Sequence, residues 1–290
     1  MALAHFFLEQ QVIEHEVVKT PGGLGAGKVV DEAAPGTPAA QSAALAASPE
    51  FELKVTPEDR KHMRALRLAP GEHMAVIDAA GVYYECELVR VEDVRITARV
   101  AQRLQAPVRP TVHLYCGLVK GDKVDFIIRH ATEVGVSRFV LMACARSVVV
   151  LNTKKVASRR QRWQAIAKSA AMQSGQVFIP KITVLPCVDA AVTELSAYDA
   201  VLVCYEGAPL EATFVQALQH ALASGGVNAR AARVAVVVGP EGGFEQTEVE
   251  SFLAANEQAY SVSLGPSILR SETAGILAPA YALYELEHHA

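Results

Sequence analysis

Three features of the 290-residue chain predict an α/β domain on a parallel sheet, preceded by a smaller β-rich domain. Beyond residue 110, several apolar runs show no polar alternation, as in strands covered on both faces. Helical spacings lie between them, and strands alternating with helices imply parallel pairing. Before residue 106 the runs are shorter, alternate apolar with polar residues, and are broken by turn residues, as half-buried antiparallel strands are.

In chain order, the first domain (1–106) is expected to place strands at 74–78, 82–89 and 94–100. Within it, residues 20–49 are rich in Ala, Gly and Pro and poor in large apolar residues, the composition of a flexible insertion rather than a core element. This stretch contains a phosphate-loop look-alike, Gly22-Gly23-Leu24-Gly25-Ala26-Gly27-Lys28. The position after the lysine must be Ser or Thr and is Val29, and no helical pattern follows, so the look-alike is set aside. The second domain (107–290) is expected to have strands at 112–118, 139–144, 201–205, 233–238 and 260–264. Its helices are expected at 122–136, 210–222, 247–255 and 272–286. In the first of these helices, Val124, Ile127, Ile128, Ala131 and Val134 follow one helix face.

Composition narrows the classes. With 51% hydrophobic residues, the chain has enough apolar material for full cores and is not a disordered or fibrous protein. No apolar run reaches the ~18 residues that a membrane helix needs, and no secretory pattern is expected at the N-terminus. The five cysteines (Cys86, Cys116, Cys144, Cys187 and Cys204) form no C-x-x-C pair, so structural zinc is not expected and a reducing cytoplasm is. Zinc-protease, serine-hydrolase and G-x-G-x-x-G signatures are absent from the second domain.

Ligands of open parallel sheets bind at the carboxyl ends of strands. Two loops there are unusual: Gly239-Pro240-Glu241-Gly242-Gly243-Phe244, and Gly265-Pro266-Ser267-Ile268-Leu269-Arg270-Ser271-Glu272-Thr273-Ala274. Glycine lets the backbone approach a ligand, and exposed amides and carbonyls can read an adenine-like edge. Either loop alone is also explained as a turn and helix cap.

Net charge is −4, which taken whole argues against nucleic acid. Its distribution says otherwise. Residues 134–188 contain no Asp or Glu and nine basic residues, giving +9, while the other 235 residues carry 18 basic and 31 acidic residues, giving −13. Such asymmetry fits either a polyanion-facing strip or a solvated basic face. Trp163 lies within the strip and is either a stacking platform for a base or a core residue.

These residues carry a family resemblance. Lys120-Gly121-Asp122, Ala131-Thr132-Glu133-Val134-Gly135-Val136, the 239–244 loop, Leu264-Gly265 and the Ile268-to-Ala274 run resemble the RsmE-type members of the SPOUT class of RNA methyltransferases. So does His62-Met63-Arg64-Ala65-Leu66-Arg67-Leu68 in the first domain. The resemblance implies a trefoil-knotted SPOUT methyltransferase domain preceded by a small PUA-like β-barrel. It implies S-adenosylmethionine-dependent methylation of N3 of a uridine in 16S ribosomal RNA, free or in an assembled small subunit, by a homodimer without metal or membrane.

The cofactor positions it implies are Leu202, Tyr205 and Glu206; Gly239, Pro240, Glu241 and Gly242; and Leu264, Gly265, Ile268, Leu269, Thr273 and Ala274. Candidate RNA contacts are Arg64, Arg67, Lys120, Arg146, Lys154, Lys155, Arg159 and Arg160. For chemistry, Arg270 or Arg129 would stabilise negative charge on the pyrimidine, and Glu272 or Glu133 would accept the imide proton, with Glu272 equally readable as a helix cap. Two departures stand out: His5 replaces the family's Arg before Phe6-Phe7, and Met172-Gln173-Ser174-Gly175-Gln176 replaces a Glu-Gln-Ser/Cys-x-Arg segment. Both are expected to remove charge from RNA-facing positions. A SPOUT enzyme acting on another RNA nucleotide and a non-catalytic RNA-binding protein are the alternative readings.

Overall fold

The computed structural model describes residues 3–12, 50–93, 95–149 and 153–288, the side chains of Thr153 and Lys154 excepted. The glycine-rich stretch 20–49 and its phosphate-loop look-alike lie outside the described residues. The chain divides into two compact units, Met1–Ala106 and Pro107–Ala290.

The first unit comprises β1 (Ala4–Phe7), β2 (Phe51–Glu52), α1 (Pro57–Ala65), β3 (His73–Ile77), β4 (Tyr83–Val91) and β5 (Ile96–Arg103). They form a five-stranded sheet in the order β1-β3-β4-β5-β2, with β1 parallel to β3 and the other pairs antiparallel. Along β4, Tyr84, Cys86 and Leu88 are buried and their neighbours are not, which is the source of the alternating signature. Helix α1 starts at a reciprocal cap: Asp59 N–H donates to Thr56 Oγ1 at 3.1 Å, and Thr56 N–H donates to Asp59 Oδ2 at 3.2 Å. Pro57 sits where its missing N–H leaves no bond unmade.

His5 is not RNA-facing as expected. It is buried, with Nε2 2.8 Å from the Tyr83 hydroxyl and Nδ1 2.9 Å from the Leu3 carbonyl, and burial holds its pKa below the ordinary histidine value.

The second unit runs β6 (Thr111–Gly117), α2 (Lys123–Val134), β7 (Arg138–Met142), α3 (Thr153–Ser174), β8 (Lys181–Leu185), α4 (Val188–Leu195), β9 (Ala200–Cys204), α5 (Phe214–Gly225), β10 (Arg233–Val238), α6 (Gln246–Ala254), β11 (Ala259–Val262) and α7 (Ser271–His288). Its six strands are all parallel, in the order β11-β9-β10-β6-β7-β8. One face carries α2, α3, α5 and α7 through Val124, Ile127, Trp163, Ala167, Phe214, Leu218, Ala278 and Ala282. The other carries α4 and α6 through Ala191, Leu195, Val249 and Phe252. Successive residues of β10 serve both: Val234, Val236 and Val238 face the first core, Ala235 and Val237 the second. That two-sided burial explains the absence of polar alternation.

Elements β8, α3 and α4 are additional to those the pattern predicts. Strand β8 is at the sheet edge and only Ile182 is fully inside, while the long α3 buries a thin stripe of Trp163, Ala167, Ala170, Ala171 and Met172. Neither leaves a strong periodic signal. Trp163 is 4% exposed and donates Nε1–H to Asp125 Oδ1 at 3.0 Å, so the core reading of this residue holds and the base-stacking one does not.

Gln176 is likewise interior. Its amide accepts from Arg109 Nη1 at 3.1 Å and donates to the Glu133 carbonyl at 3.1 Å, while Arg109 also pairs with Glu287 at 2.7 Å. Its place beside the Arg109 guanidinium would repel a second arginine. Among the described residues, no helix is long and apolar enough to cross a membrane, and no group of three or more His, Cys, Asp or Glu stands where it could hold a metal.

A polar cluster lies between the sheet and α4. His113 Nδ1 is 2.6 Å from the Tyr198 hydroxyl, which is 3.0 Å from the Tyr115 hydroxyl. Tyr115 and Arg138 both donate to Glu194 Oε2, at 3.0 and 2.8 Å. Burial, followed by the nearby Arg233 and Arg138, pushes the His113 pKa down to about 4. The unfolded chain takes up this proton near the ordinary value of 6.5, the folded one only near 4. Stability is therefore expected to fall as pH drops through that window. In urea titrations at pH 7 and pH 4.5, His113→Gln should lose less stability between the two than the unsubstituted protein; equal losses would remove His113 as a source of the slope.

Candidate functional site

Strands β10, β9 and β11 are neighbours and parallel, so the loops that leave their carboxyl ends emerge side by side. Together they line a cavity of about 390 Å³. The loop after β9 contributes Tyr205, Glu206 and Leu210, the loop after β10 Gly239 to Glu241, Gly243 and Phe244, and the loop after β11 Ser263 to Arg270; α7 adds Ser271 and Ala274.

Local chemistry shapes each loop. The loop after β10 turns on a Gly243 N–H to Pro240 carbonyl bond of 3.0 Å, with Gly243 in the left-handed region (φ 69°). A β-carbon on Gly243 would stand 3.1 Å from Glu206 Oε1, so the Glu206 carboxylate can lie against this turn because Gly243 has no side chain. The loop then anchors through Phe244, which is 2% exposed and packs edge-on to Phe252 at 5.2 Å, and a Glu245–Glu248 capping box opens α6. The loop after β11 is held by Ser263 N–H donating to the Ala212 carbonyl at 2.9 Å. The loop after β9 is held by Tyr205 O–H donating to Gln246 Oε1 at 3.1 Å. Each wall is thus tied to another wall.

Two supports reach the lining from neighbouring elements. The loop after β7 braces the 239–245 segment: Ala145 N–H donates to Glu248 Oε1 at 2.8 Å and Arg146 Nη1 donates to the Gly242 carbonyl at 3.3 Å. On the opposite side, Lys123 Nζ is 3.2 Å from Glu241 Oε1 and 3.3 Å from Glu272 Oε2. Partial burial by itself raises the Glu241 pKa, but hydrogen bonds from the Lys120 N–H, its own N–H and Lys123 outweigh it and hold the group below the ordinary glutamate value. The hydrogen bond to Glu241 raises the Lys123 pKa, so the ammonium stays charged. Cys204 also lines the cavity, and burial pushes its thiol up to about 12, which removes it as a nucleophile at neutral pH.

Most of the sequence-derived ligand positions meet here. Tyr205, Glu206, Gly239, Pro240, Glu241, Leu264, Gly265, Ile268, Leu269 and Ala274 line the cavity, as does Arg270. Gly242 and Thr273 sit on the same segments outside the lining, and Leu202 is fully buried inside β9, where its side chain packs in the core instead of facing a ligand. Glu272 is outside the lining and paired with Lys123. Arg129 lies on the exposed face of α2 away from the cavity, and Glu133 pairs with His130 at 3.0 Å near the end of that helix. Lys123, Ser263 and Leu210 are lining residues that sequence reasoning missed.

The described candidate RNA contacts are exposed. Lys155, Arg159 and Arg160 lie on the solvent side of α3, and Lys154 has its side chain outside the described atoms. Lys120 and Arg146 flank the cavity loops, as their bonds to Glu241 and Gly242 show. In the first unit, Arg64 pairs with Asp93 at 2.8 Å, and exposed Arg67 adopts φ 57° after the end of α1. Two members of the acid-free strip are neutralised: Arg138 by Glu194, and Arg162 by Asp125 and Asp122.

A family model described as RNA methyltransferase domain matches residues 106–283. The ribosomal RNA small subunit methyltransferase E of Bacillus subtilis is 30% identical over 240 residues, covering 80% of this chain and 90% of that protein. The protein of the same name from Mycobacterium bovis is 32% identical over 217 residues, covering 73% and 78%. A crystal structure of a ribosomal RNA small subunit methyltransferase E from Neisseria gonorrhoeae, bound to S-adenosyl methionine, superposes with a TM-score of 0.67 over 97% of this chain and 96% of that one. At 21% identity, this last match speaks to the fold.

Gly117, at the end of β6, is the tightest contact around the cavity: a β-carbon there would lie 2.5 Å from Pro240 N and Cδ. Gly117→Ala should therefore displace the 239–243 turn and lower stability by about 1–3 kcal/mol in urea unfolding. An unchanged midpoint would show that this packing is slack.

Proposed function

The chain belongs to the RNA methyltransferase family and, within it, to the ribosomal RNA small subunit methyltransferase E type; from that premise we propose that it methylates N3 of a uridine in 16S ribosomal RNA, with S-adenosyl-L-methionine as donor. The observation that carries the reading is the convergence of three glycine- and proline-rich strand-end loops on one cavity. The cavity suits that cofactor. Gly239 and Gly243 bring backbone close to the cavity where a β-carbon would meet neighbouring atoms at 3.3 and 3.1 Å, and Glu206 offers a carboxylate for hydroxyl or ammonium groups. Tyr205, Glu206, Gly239 to Gly242, Leu264, Gly265, Ile268, Leu269, Thr273 and Ala274 hold the cofactor, Gly242 and Thr273 by supporting the lining segments.

When bound, the cofactor supplies an activated methyl group on a sulfonium. The protein's tasks are to orient N3 and to lower the cost of removing its imide proton. Arg270, on the cavity wall, stabilises the negative charge that develops on the pyrimidine. Glu272, in the first turn of α7 and held by Lys123, is the proton acceptor we assign. Arg129 is exposed on α2 and is not among the lining residues, so the role falls to Arg270.

We further propose that the second unit is trefoil-knotted, a reading supported by the insertion of β10 between β9 and β6 after β9 has entered the sheet. The five-stranded first unit is read as a PUA-like barrel that binds RNA, with Arg64 and Arg67 on its exposed surface. A homodimer is supported by Phe126, Tyr281 and Tyr284, aromatic residues left 47%, 41% and 60% exposed on two adjacent helices, α2 and α7. The cytoplasm, where the small subunit is made, is the location that fits.

Transfer of tritium from labelled cofactor to small subunits and to free 16S RNA, followed by nucleoside analysis, tests the activity. N3-methyluridine is the expected product. Another modified nucleoside would redirect the assignment to another RNA position, and binding without transfer would favour a non-catalytic RNA-binding protein. Arg270→Ala should lower turnover by about 10²-fold or more, the usual size of losing one charge stabiliser, while cofactor binding stays measurable; undiminished methylation would defeat the role.

Lys155, Arg159 and Arg160, which we assign to phosphate contacts together with Lys120, Arg146 and Lys154, generate a salt prediction. RNA affinity should fall steeply with ionic strength, and the triple alanine variant should flatten the slope by roughly 2–3 in log–log terms, about 0.7–0.9 for each phosphate that is no longer neutralised. A slope unchanged by the three substitutions would make this face merely solvated.

A further inference from the structure

Lys123 is the one basic side chain that touches two different walls of the cavity among the described residues. It rises from the first turn of α2 and reaches Glu241 in the loop after β10 (3.2 Å) and Glu272 in the first turn of α7 (3.3 Å). The three side chains are 30%, 26% and 19% exposed, so their attraction is only partly screened by water. Glu272 Oε2 is buried, and Lys123 is the one basic group paired with it among the described residues. Glu241 is held a second time by the Lys120 N–H at 3.0 Å, which makes this loop the fixed side of the bridge and α7 the side that Lys123 tethers. Neither carboxylate is neutralised by another described basic group, so removal of the ammonium would leave two like charges facing one gap.

Resting on the reading that this cavity holds S-adenosyl-L-methionine, we propose that Lys123 is a positioning residue for methyl transfer: a cationic strap that sets the separation of the 239–243 loop and the first turn of α7, and with it the width of the cofactor cavity and the placement of Arg270. The lysine acts through Glu241 and Glu272 and does not take part in the proton transfer. Its raised pKa fits that part, because a strap must remain charged across the working pH range.

Calorimetric titration of S-adenosyl-L-methionine into the full chain tests this. Lys123→Met should weaken binding by roughly tenfold, the scale of one lost charge-assisted hydrogen bond. Lys123→Arg, which keeps the charge and the reach, should stay within about threefold of the unsubstituted protein. Adding Glu272→Gln to Lys123→Met removes the like-charge repulsion and should recover part of the loss, an outcome that general unfolding would not produce. In steady-state methylation, Lys123→Met should raise KM for the cofactor more than it lowers kcat, while near-ultraviolet circular dichroism stays native. Equal affinity of Lys123→Met and the unsubstituted protein would overturn the strap, as would an arginine variant as weak as the methionine one or a double variant with no recovery. Absence of binding by the unsubstituted protein would instead overturn the cofactor reading itself.

Discussion

The position of β10 is the constraint on which the site depends. It pairs along Arg233–Val238 with β6 on one side and from Val234 to Val238 with β9 on the other, in parallel throughout. Parallel pairing sends the chain out of β9, β10 and β11 on the same edge of the sheet, so three loops far apart in sequence must crowd one another. The crowding is tight enough to dictate residue type. Gly117 ends β6 without a side chain because Pro240 occupies the place a β-carbon would take, and Gly243 sits against Glu206 for the same reason. The glycines serve the packing of loop on loop as much as the approach of a ligand.

Electrostatics around this edge is organised in two layers. Near the cavity, charges are paired with short reach: Lys123 with Glu241 and Glu272, and the Lys120 amide with Glu241. Farther out, on α3, the bases Lys155, Arg159 and Arg160 face solvent. The inner layer sets geometry, since partly buried pairs are directional and little screened. The outer layer suits a polyanion, since exposed like charges repel until a counter-charge arrives. A chain with net charge −4 can therefore present a basic surface beside an acid-rich remainder.

Much of the second unit was legible because its strands are covered on both faces and its helices α2, α5 and α7 carry apolar stripes. Its edge was less so, because β8 buries one residue fully and α3 shows a thin alanine stripe that periodicity barely registers. At the site, Tyr205, Gly239, Glu241, Leu264 and Arg270 stood out through glycine-rich strand ends and family resemblance. Lys123 did not: it looks like any lysine at a helix start until Glu241 and Glu272, more than a hundred residues away, arrive beside it. Arg129 looked equally suitable and faces solvent instead.

His5, Trp163 and Gln176 make the same distinction from the other direction. Each invited a reading at the RNA surface by its type and place in the chain, and each is an interior residue whose polar atoms are used by Tyr83, by Asp125, or by Arg109 and Glu133. The chain's pattern alone determined the α/β class, the two-part organisation, the strand-end loops and the acid-free strip, because periodicity, turn chemistry and charge run along the backbone and need no partner. Strand order, the meeting of the three loops, the Lys123 bridge and the burial of these three residues were decided only in three dimensions, because each depends on which distant segment fills the space beside it.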